Sequence, residues 1–255
     1  MPAVGRPVGA EQARGGAAAT SLDRLGRHLL EQPVSGYRFS IDSVLLAAFA
    51  PAAAGPVADL GAGCGVLCLL LAARGLAGPF WALEIDPLAA ACCERNFTRA
   101  GLAGRVLVHD LSQPTGQPAP GSCALVIANP PFGRPGHGRL PPQPSRARAR
   151  HELALPAAAL WPRAAELLPA RGRLALCWPP ARLPQALAGL EAHRLAPKRL
   201  RLVHGRERAA AKLALIEAVK DGRPQLRVEP PLILYGQGQR HTAEVEAMYR
   251  ELCGP

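Results

Sequence analysis

From Pro56 onward, short apolar runs alternate with stretches of helical length, and this alternation restricts the fold more than any other feature of the chain. Val57–Leu60 leads into a glycine-rich turn and a helical stretch over 66–74, and Phe80–Glu84 into another over Pro87–Ala100. Further apolar runs lie at 105–109 and 124–128, followed by a helical stretch over 157–168 and a fifth run, Arg173–Trp178. Runs this short, bounded by Gly, Pro and Asp, read as strands, and strands that alternate with helices pair in parallel. The expected architecture is α/β, a doubly wound and mostly parallel sheet. Near the end, 212–219 and 226–234 are rich in β-formers and joined by Asp221-Gly222, which predicts an antiparallel hairpin. Ser40 is placed to cap a helix that carries Asp42 in its first turn. Residues 1–19 show no periodic face and read as a disordered leader, with structure starting near Thr20.

With 255 residues the chain can bury a sizeable core. No apolar run reaches the roughly 18–20 residues of a membrane helix, and no secretory signal opens the chain, so the expectation is a soluble, cytosolic protein. The seven cysteines include no Cys-x-x-Cys pair and no companion histidine cluster, which predicts buried, reduced thiols rather than a metal site. Lys and Arg total 30 against 19 Asp and Glu, a net charge of +11. An excess of this size points to a polyanion partner, although an Arg- and Ala-rich composition also follows from a GC-rich genome.

Asp59-Leu-Gly-Ala-Gly-Cys-Gly65 places three glycines between the first strand and its helix, where they allow a close approach of backbone to ligand. Glu84 ends the next strand, a position from which a carboxylate can take both hydroxyls of a ribose. The turn alone would also suit NAD. The Gly-x-Gly-x-Gly spacing and the acid that opens the motif favour a ligand with a cationic amino acid end. S-adenosylmethionine fits this pattern, with Asp59 near the methionine end, Glu84 on the ribose and Asp110 near the adenine amine.

Asn129-Pro130-Pro131-Phe132 follows the fourth strand directly. The prolines make the turn rigid and leave carbonyls available as acceptors. A planar NH2 group can donate one hydrogen to the Asn129 side-chain oxygen and the other to the Pro130 carbonyl, while Phe132 stacks on the attached ring. The same residues would also make an ordinary strand-ending turn.

In order and spacing, Asp59–Gly65, Glu84, Asp110 and Asn129–Phe132 resemble the class I S-adenosylmethionine-dependent methyltransferases of the amino-methylating branch. The resemblance extends over about residues 20–252. Gln32-Pro33, the block Gly36-Tyr-Arg-Phe-Ser-Ile-Asp-Ser-Val-Leu-Leu-Ala47, and the stretch from Tyr235 to Tyr249 with Thr242 are similar to the bacterial tRNA(Val) adenine-N6 methyltransferases. This resemblance implies a Rossmann-like class I methyltransferase fold, with a mostly parallel seven-stranded sheet, a C-terminal antiparallel hairpin and helices on both faces. It implies a single methyltransferase domain over 20–255, S-adenosyl-L-methionine as cofactor, no metal, and a tRNA partner, with a monomer favoured. The site residues it implies are Asn129, Pro130, Pro131 and Phe132 for catalysis. For the cofactor they are Arg38, Phe39, Asp42, Asp59, Gly61, Gly63, Gly65, Glu84, Ile85, Asp110 and Leu111, together with Asn129. The implied reaction is direct methyl transfer to an adenine N6 beside the anticodon. Ribosomal RNA (adenine N6 or guanine N2) and a release-factor glutamine amide remain as alternative acceptors.

Two basic segments are not accounted for by the motifs. Residues 133–150 carry five Arg and His137 without apolar periodicity, and read either as a basic flap over nucleic acid or as an idle insertion. Arg194, Lys198, Arg199, Arg201, Arg206 and Arg208 form a second stretch, read as phosphate contacts or as a solvated face. His151-Glu152 follows the first segment and is assigned no chemistry.

Overall fold

The computed structural model describes residues 19–35, 38–114, 116–130 and 157–254. The expected leader over 1–18, Gly36, Tyr37, Pro131, Phe132, the basic segment 133–150 and His151-Glu152 lie outside the described residues.

The chain opens with an antiparallel hairpin of β1 (Thr20–Leu25) and β2 (His28–Pro33). Helix α1 (Ile41–Phe49) begins at Ser40, whose side chain accepts from the Asp42 amide as the sequence predicts. Then come β3 (Val57–Leu60), α2 (Val66–Ala73), β4 (Phe80–Glu84), α3 (Pro87–Ala100), β5 (Gly104–Val108) and β6 (Leu125–Ala128). Asp86 caps α3 through the Leu88 amide, Pro87 sits where no helical N–H is needed, and Gly101 closes the helix in left-handed conformation. The remainder is α4 (Ala157–Leu167), β7 (Arg173–Trp178), a 3-10 turn Pro180–Arg182, α5 (Leu183–Ala192), β8 (Leu195–His204), β9 (Ala211–Lys220), β10 (Arg227–Val228), β11 (Leu232–Ile233) and α6 (Ala243–Cys253).

Beyond the hairpin lies one sheet in the order β10-β8-β9-β7-β6-β3-β4-β5, with β11 also paired to β8. Strands β5, β4, β3, β6 and β7 are parallel, and β9 enters antiparallel between β7 and β8. The expected seven strands are β3 to β9; β10 and β11 are two-residue additions along β8 that bring the sheet to nine. The C-terminal hairpin forms between different partners from those the sequence suggested. β9 pairs with β8, which precedes it, while 226–234 supplies only β10 and β11, both parallel to β8. Asp221, at φ +52, turns the chain out of the sheet instead of closing a hairpin. The arginines that made β8 look like a solvated stretch are tolerated in a strand because acids on β9 and around β10 neutralise them.

The core forms on both faces of the sheet, as a parallel sheet requires. Leu125 and Ile127 face a cluster that includes Leu45, Leu70, Cys93 and Val245 from α1, α2, α3 and α6. Val126 and Ala128 face the other way, onto Leu160, Ala164, Ala186 and Leu190 from α4 and α5. All seven cysteines are buried and free. No helix among the described residues is long and apolar enough to cross a membrane.

Candidate active site

The parallel strands β3, β4, β5 and β6 all end at one rim of the sheet, and each delivers sequence-predicted residues there. Strand order reverses between β3 and β6, because β4 and β5 extend to one side and β6 and β7 to the other. In open α/β sheets a crevice forms at such a switch point, outside the carboxyl ends of the strands.

After β3, Gly61, Gly63 and Gly65 all take positive φ, at 78°, 56° and 82°. Their surroundings separate their roles. A Cβ on Gly63 would meet nothing within 4 Å, so this residue faces open space where a ligand can approach. A Cβ on Gly65 would lie 2.5 Å from Cys93 Sγ and 2.9 Å from Phe97 Cε1, so this glycine lets α2 and α3 pack closely.

Glu84 is nearly buried and ties β4 to this turn. Its Oε2 accepts from the Gly63 amide at 2.7 Å and its Oε1 from the Asp86 amide at 2.9 Å. Each oxygen keeps a second lone pair, enough for two vicinal hydroxyls. Asp59 stands wholly buried beneath the turn. Its Oδ2 accepts from the Cys68 thiol at 3.8 Å, and its Oδ1 has no partner among the described residues. Burial, then the Glu84 charge, push the Asp59 carboxyl from 3.8 up to about 8, and burial raises Glu84 as well.

This has a consequence for stability. An acid whose folded pKa lies above its unfolded value holds more protons folded than unfolded, so raising the pH between the two values destabilises the fold. Asp59 is therefore expected to lower stability progressively between about pH 4 and pH 8, by a few kcal/mol at about 1.4 kcal/mol per pKa unit. Thermal melts across this range should decline with pH, and Asp59→Asn should flatten the decline. A decline of equal slope in the variant would assign the pH dependence to other groups.

At the ends of β4 and β5, Val108 pairs in register with Glu84 and has 61% of its surface exposed, while Ile85, the residue after β4, has 42% exposed. Val108, in register with Glu84, offers an exposed apolar surface beside it at the rim. The sequence points to Ile85 and not to Val108, because nothing in the sequence distinguishes Val108 from the half-buried Val106 and Leu107 before it. Leu111 is buried. Asp110 is exposed and its Oδ1 accepts from the Ser112 amide at 2.9 Å, a bond that holds its carboxyl below the usual range. It thus forms a turn of its own and is not buried against the pocket.

The block before α1 divides. Arg38 turns its guanidinium to the hairpin, with Asp23 Oδ2 at 2.5 Å and Ser21 Oγ at 3.0 Å. Gln32, buried, donates to Asp23 Oδ2 at 2.9 Å and accepts from the Phe39 amide at 3.2 Å. These contacts fasten the strap at 38–40 to β2. Asp42 is largely buried, which raises its pKa. The structure therefore places Arg38 as an anchor of the strap, and Phe39 and Asp42 on the segment it anchors.

Asn129 lies at the end of β6 with 7% of its surface exposed, and its Nδ2 donates to Ser43 Oγ on α1 at 3.4 Å. Pro130, beside it, is also buried.

The methyltransferase small domain family matches residues 40–140, a span that holds the glycine turn, Glu84 and Asn129. A tRNA1(Val) (adenine(37)-N6)-methyltransferase of Porphyromonas gingivalis is 34% identical over 191 residues, covering 71% of this chain and 74% of the relative. The chain belongs to this family. A predicted O-methyltransferase from Agrobacterium tumefaciens has the same fold, with a TM-score of 0.66 at 22% identity over 84% of this chain and 98% of that one. So does a TYW2 from M. jannaschii solved with AdoMet, with a TM-score of 0.52 at 14% identity over 82% and 88% of the two chains.

S-adenosylmethionine is the cofactor of this methyltransferase, and the rim suits it. The space beside Gly63 is open, Glu84 keeps acceptor capacity, Val108 in register with it is exposed and apolar, and Asp59 Oδ1 is a buried acceptor without a partner among the described residues. When bound, the cofactor supplies an electrophilic methyl carbon. The methyltransferase sets Asn129 one strand away from the glycine turn, since β6 is the neighbour of β3. Ser43, whose Oγ accepts from the Asn129 amide, lies in the block that resembles the tRNA methyltransferases, but its pairing with a residue 86 positions away had no signal in the sequence. Among the described residues no group of His, Cys, Asp and Glu is placed to hold a metal ion.

Proposed function

We propose that this methyltransferase transfers a methyl group to the exocyclic N6 of an adenine in tRNA, at the position named in its relatives, beside the anticodon of tRNA(Val). Residues 20–255 act as one methyltransferase domain in the cytoplasm. The placement of Asn129 at the end of β6, amide nitrogen held by Ser43 and backbone rigid into Pro130, carries the reading. The Asn129 Nδ2 donates to Ser43, and the Asn129 Oδ1 and the Pro130 carbonyl, adjacent in the chain, are the proposed pair of acceptors. These two acceptors take the two hydrogens of the amine. The adenine N6 lone pair is delocalised into the ring and is a poor nucleophile. Accepting both hydrogens favours a pyramidal nitrogen and raises its electron density as the new N–C bond forms. One proton then leaves to water from a far more acidic nitrogen, so no strong base is needed beforehand. Catalysis is positioning and electrostatic complementarity. Phe132 holds the ring of a base turned out of its stack, which an anticodon loop yields at small cost. Glu84 would hold the ribose of the cofactor, Gly63 lets it approach, and the exposed Ile85 and Val108 supply apolar surface for its adenine.

An anticodon stem–loop in which the target adenine is replaced by purine, which lacks the amine, tests this. Transfer should disappear with purine and persist when neighbouring adenines are replaced. Transfer to the purine-substituted loop would show that another atom is the acceptor.

A further inference from the structure

The six cations expected as a phosphate-binding stretch separate into two groups in the fold. Arg194 pairs with Asp221 at 2.7 Å, Arg199 with Glu217 and Glu229 at 2.7 Å each, and Arg201 with Glu244 at 2.8 Å. Lys198 donates to the Arg223 carbonyl. These four lie along β8 or just before it, and the three arginines are neutralised by acids. Arg206 and Arg208 stand in the loop between β8 and β9.

Topology decides where that loop lies. β8 is antiparallel to β9, and β9 is antiparallel to β7, so β8 ends at the same rim as β7 and β6. β11 is parallel to β8 and also ends there, which brings the segment 235–242 to this rim. The 3-10 turn after β7 adds Arg182. Arg182, Arg208 and Arg240 are all exposed, and none of the three pairs with an acid among the described residues. Arg182 stacks over the Trp178 ring at 5.6 Å and donates to Gln185. Glu207 is the acid between Arg206 and Arg208, so the β8–β9 loop itself stays positive.

The two loops are also held in shape. Arg206 donates to the Gly236 carbonyl at 3.1 Å and the Gly238 carbonyl at 2.7 Å, which joins one loop to the other. Tyr235, His241 and Tyr249 stack in series at 5.2 and 5.5 Å between ring centres, closing the segment that presents Arg240. The His204 ring meets the Ala209 carbonyl at 2.6 Å across the other loop. Exposed guanidinium groups on three segments at the rim that carries Asn129 suit the phosphates of a nucleic acid, because the guanidinium fork binds phosphate oxygens in pairs.

We infer that Arg182, Arg208 and Arg240 form the surface on which the tRNA backbone lies beside the target nucleotide, with Arg206 and the Tyr235–His241–Tyr249 stack as positioning residues. The inference rests on the proposed tRNA substrate. Its test is tRNA binding by the full chain as a function of salt, comparing wild type with Arg182→Ala/Arg208→Ala/Arg240→Ala. The triple variant should bind about 10–100-fold more weakly at low salt, with a salt slope shallower by about two to three, since each lost phosphate contact removes about 0.7–0.9. Its melting temperature and cofactor affinity should stay unchanged. Arg171→Ala/Arg223→Ala, on exposed arginines at the opposite rim, should leave tRNA affinity intact. A triple variant with unchanged affinity and slope, or a control pair that weakens binding equally, would overturn the surface. Methyl transfer by the wild type is read separately. Transfer to tRNA adenine with an unaltered triple variant rejects the surface alone. Salt-sensitive binding lost in the triple variant, without transfer to adenine, rejects the substrate reading and leaves the surface.

Discussion

Asn129→Ala is expected to lower kcat for methyl transfer by about 10²–10³-fold, the scale of losing one preorganised hydrogen-bonding group at the reacting atom. Cofactor affinity should change little. The glycine turn and Glu84 sit on β3 and β4, and the Asn129 side chain donates to Ser43, not to either of them. The substitution removes the acceptor for one amine hydrogen and leaves the other acceptor, the Pro130 carbonyl, in place. Single-turnover transfer with saturating cofactor isolates this effect, and calorimetric titration of the cofactor controls for binding. Turnover within a few-fold of wild type would remove Asn129 from the mechanism.

Gly65→Ala should produce the largest loss of stability of any single methyl group added to the site. The residue sits at φ 82°, where an L side chain costs about 1–2 kcal/mol. The new methyl would lie 2.5 Å from Cys93 Sγ and 2.9 Å from Phe97, both buried and unable to move freely, and overpacking of this kind costs about 1–3 kcal/mol more. A combined loss of about 2–5 kcal/mol in denaturant melts is expected. Gly63→Ala is the contrasting case. Nothing lies within 4 Å of its added methyl, so it should be much better tolerated in the fold and should act mainly on cofactor binding. If the two variants melt alike, the division of roles between these glycines is wrong.

The parallel half of the sheet was legible because its signals are local. Val57-Ala-Asp-Leu60 followed by Gly-Ala-Gly-Cys-Gly, or four apolar residues followed by Glu84-Ile-Asp-Pro87, specify a strand, its end and the start of the next helix within a dozen positions. The antiparallel half was not, because its determinants are distant partners. β8 carries Arg199 and Arg201, and only the folded sheet with α6 packed beside it brings Glu217, Glu229 and Glu244 to them. Without those acids the strand reads as a solvated basic run, and β9 was given the wrong partner. The hairpin at the start escaped for a related reason. Its anchor is Asn96 on α3, which accepts from the Glu31 amide and donates to the Glu31 and Cys64 carbonyls, a contact 65 positions away. In the site, Glu84 and the glycine turn followed from residue type and spacing. The turn of Arg38 to Asp23, the bond from Asn129 to Ser43 and the exposure of Val108 depend on how the elements meet.

The central claim is that an amine nitrogen of tRNA adenine receives the methyl group at Asn129. The most direct measurement incubates the enzyme and labelled S-adenosylmethionine with unmodified total tRNA, ribosomal RNA and release factor together. Each fraction is then digested and the labelled product identified by mass spectrometry. Label recovered as N6-methyladenosine from tRNA, mapping beside the anticodon of tRNA(Val) and lost with Asn129→Ala, is the result expected. Label recovered from ribosomal RNA or from a glutamine of the release factor would keep the cofactor site and contradict the substrate.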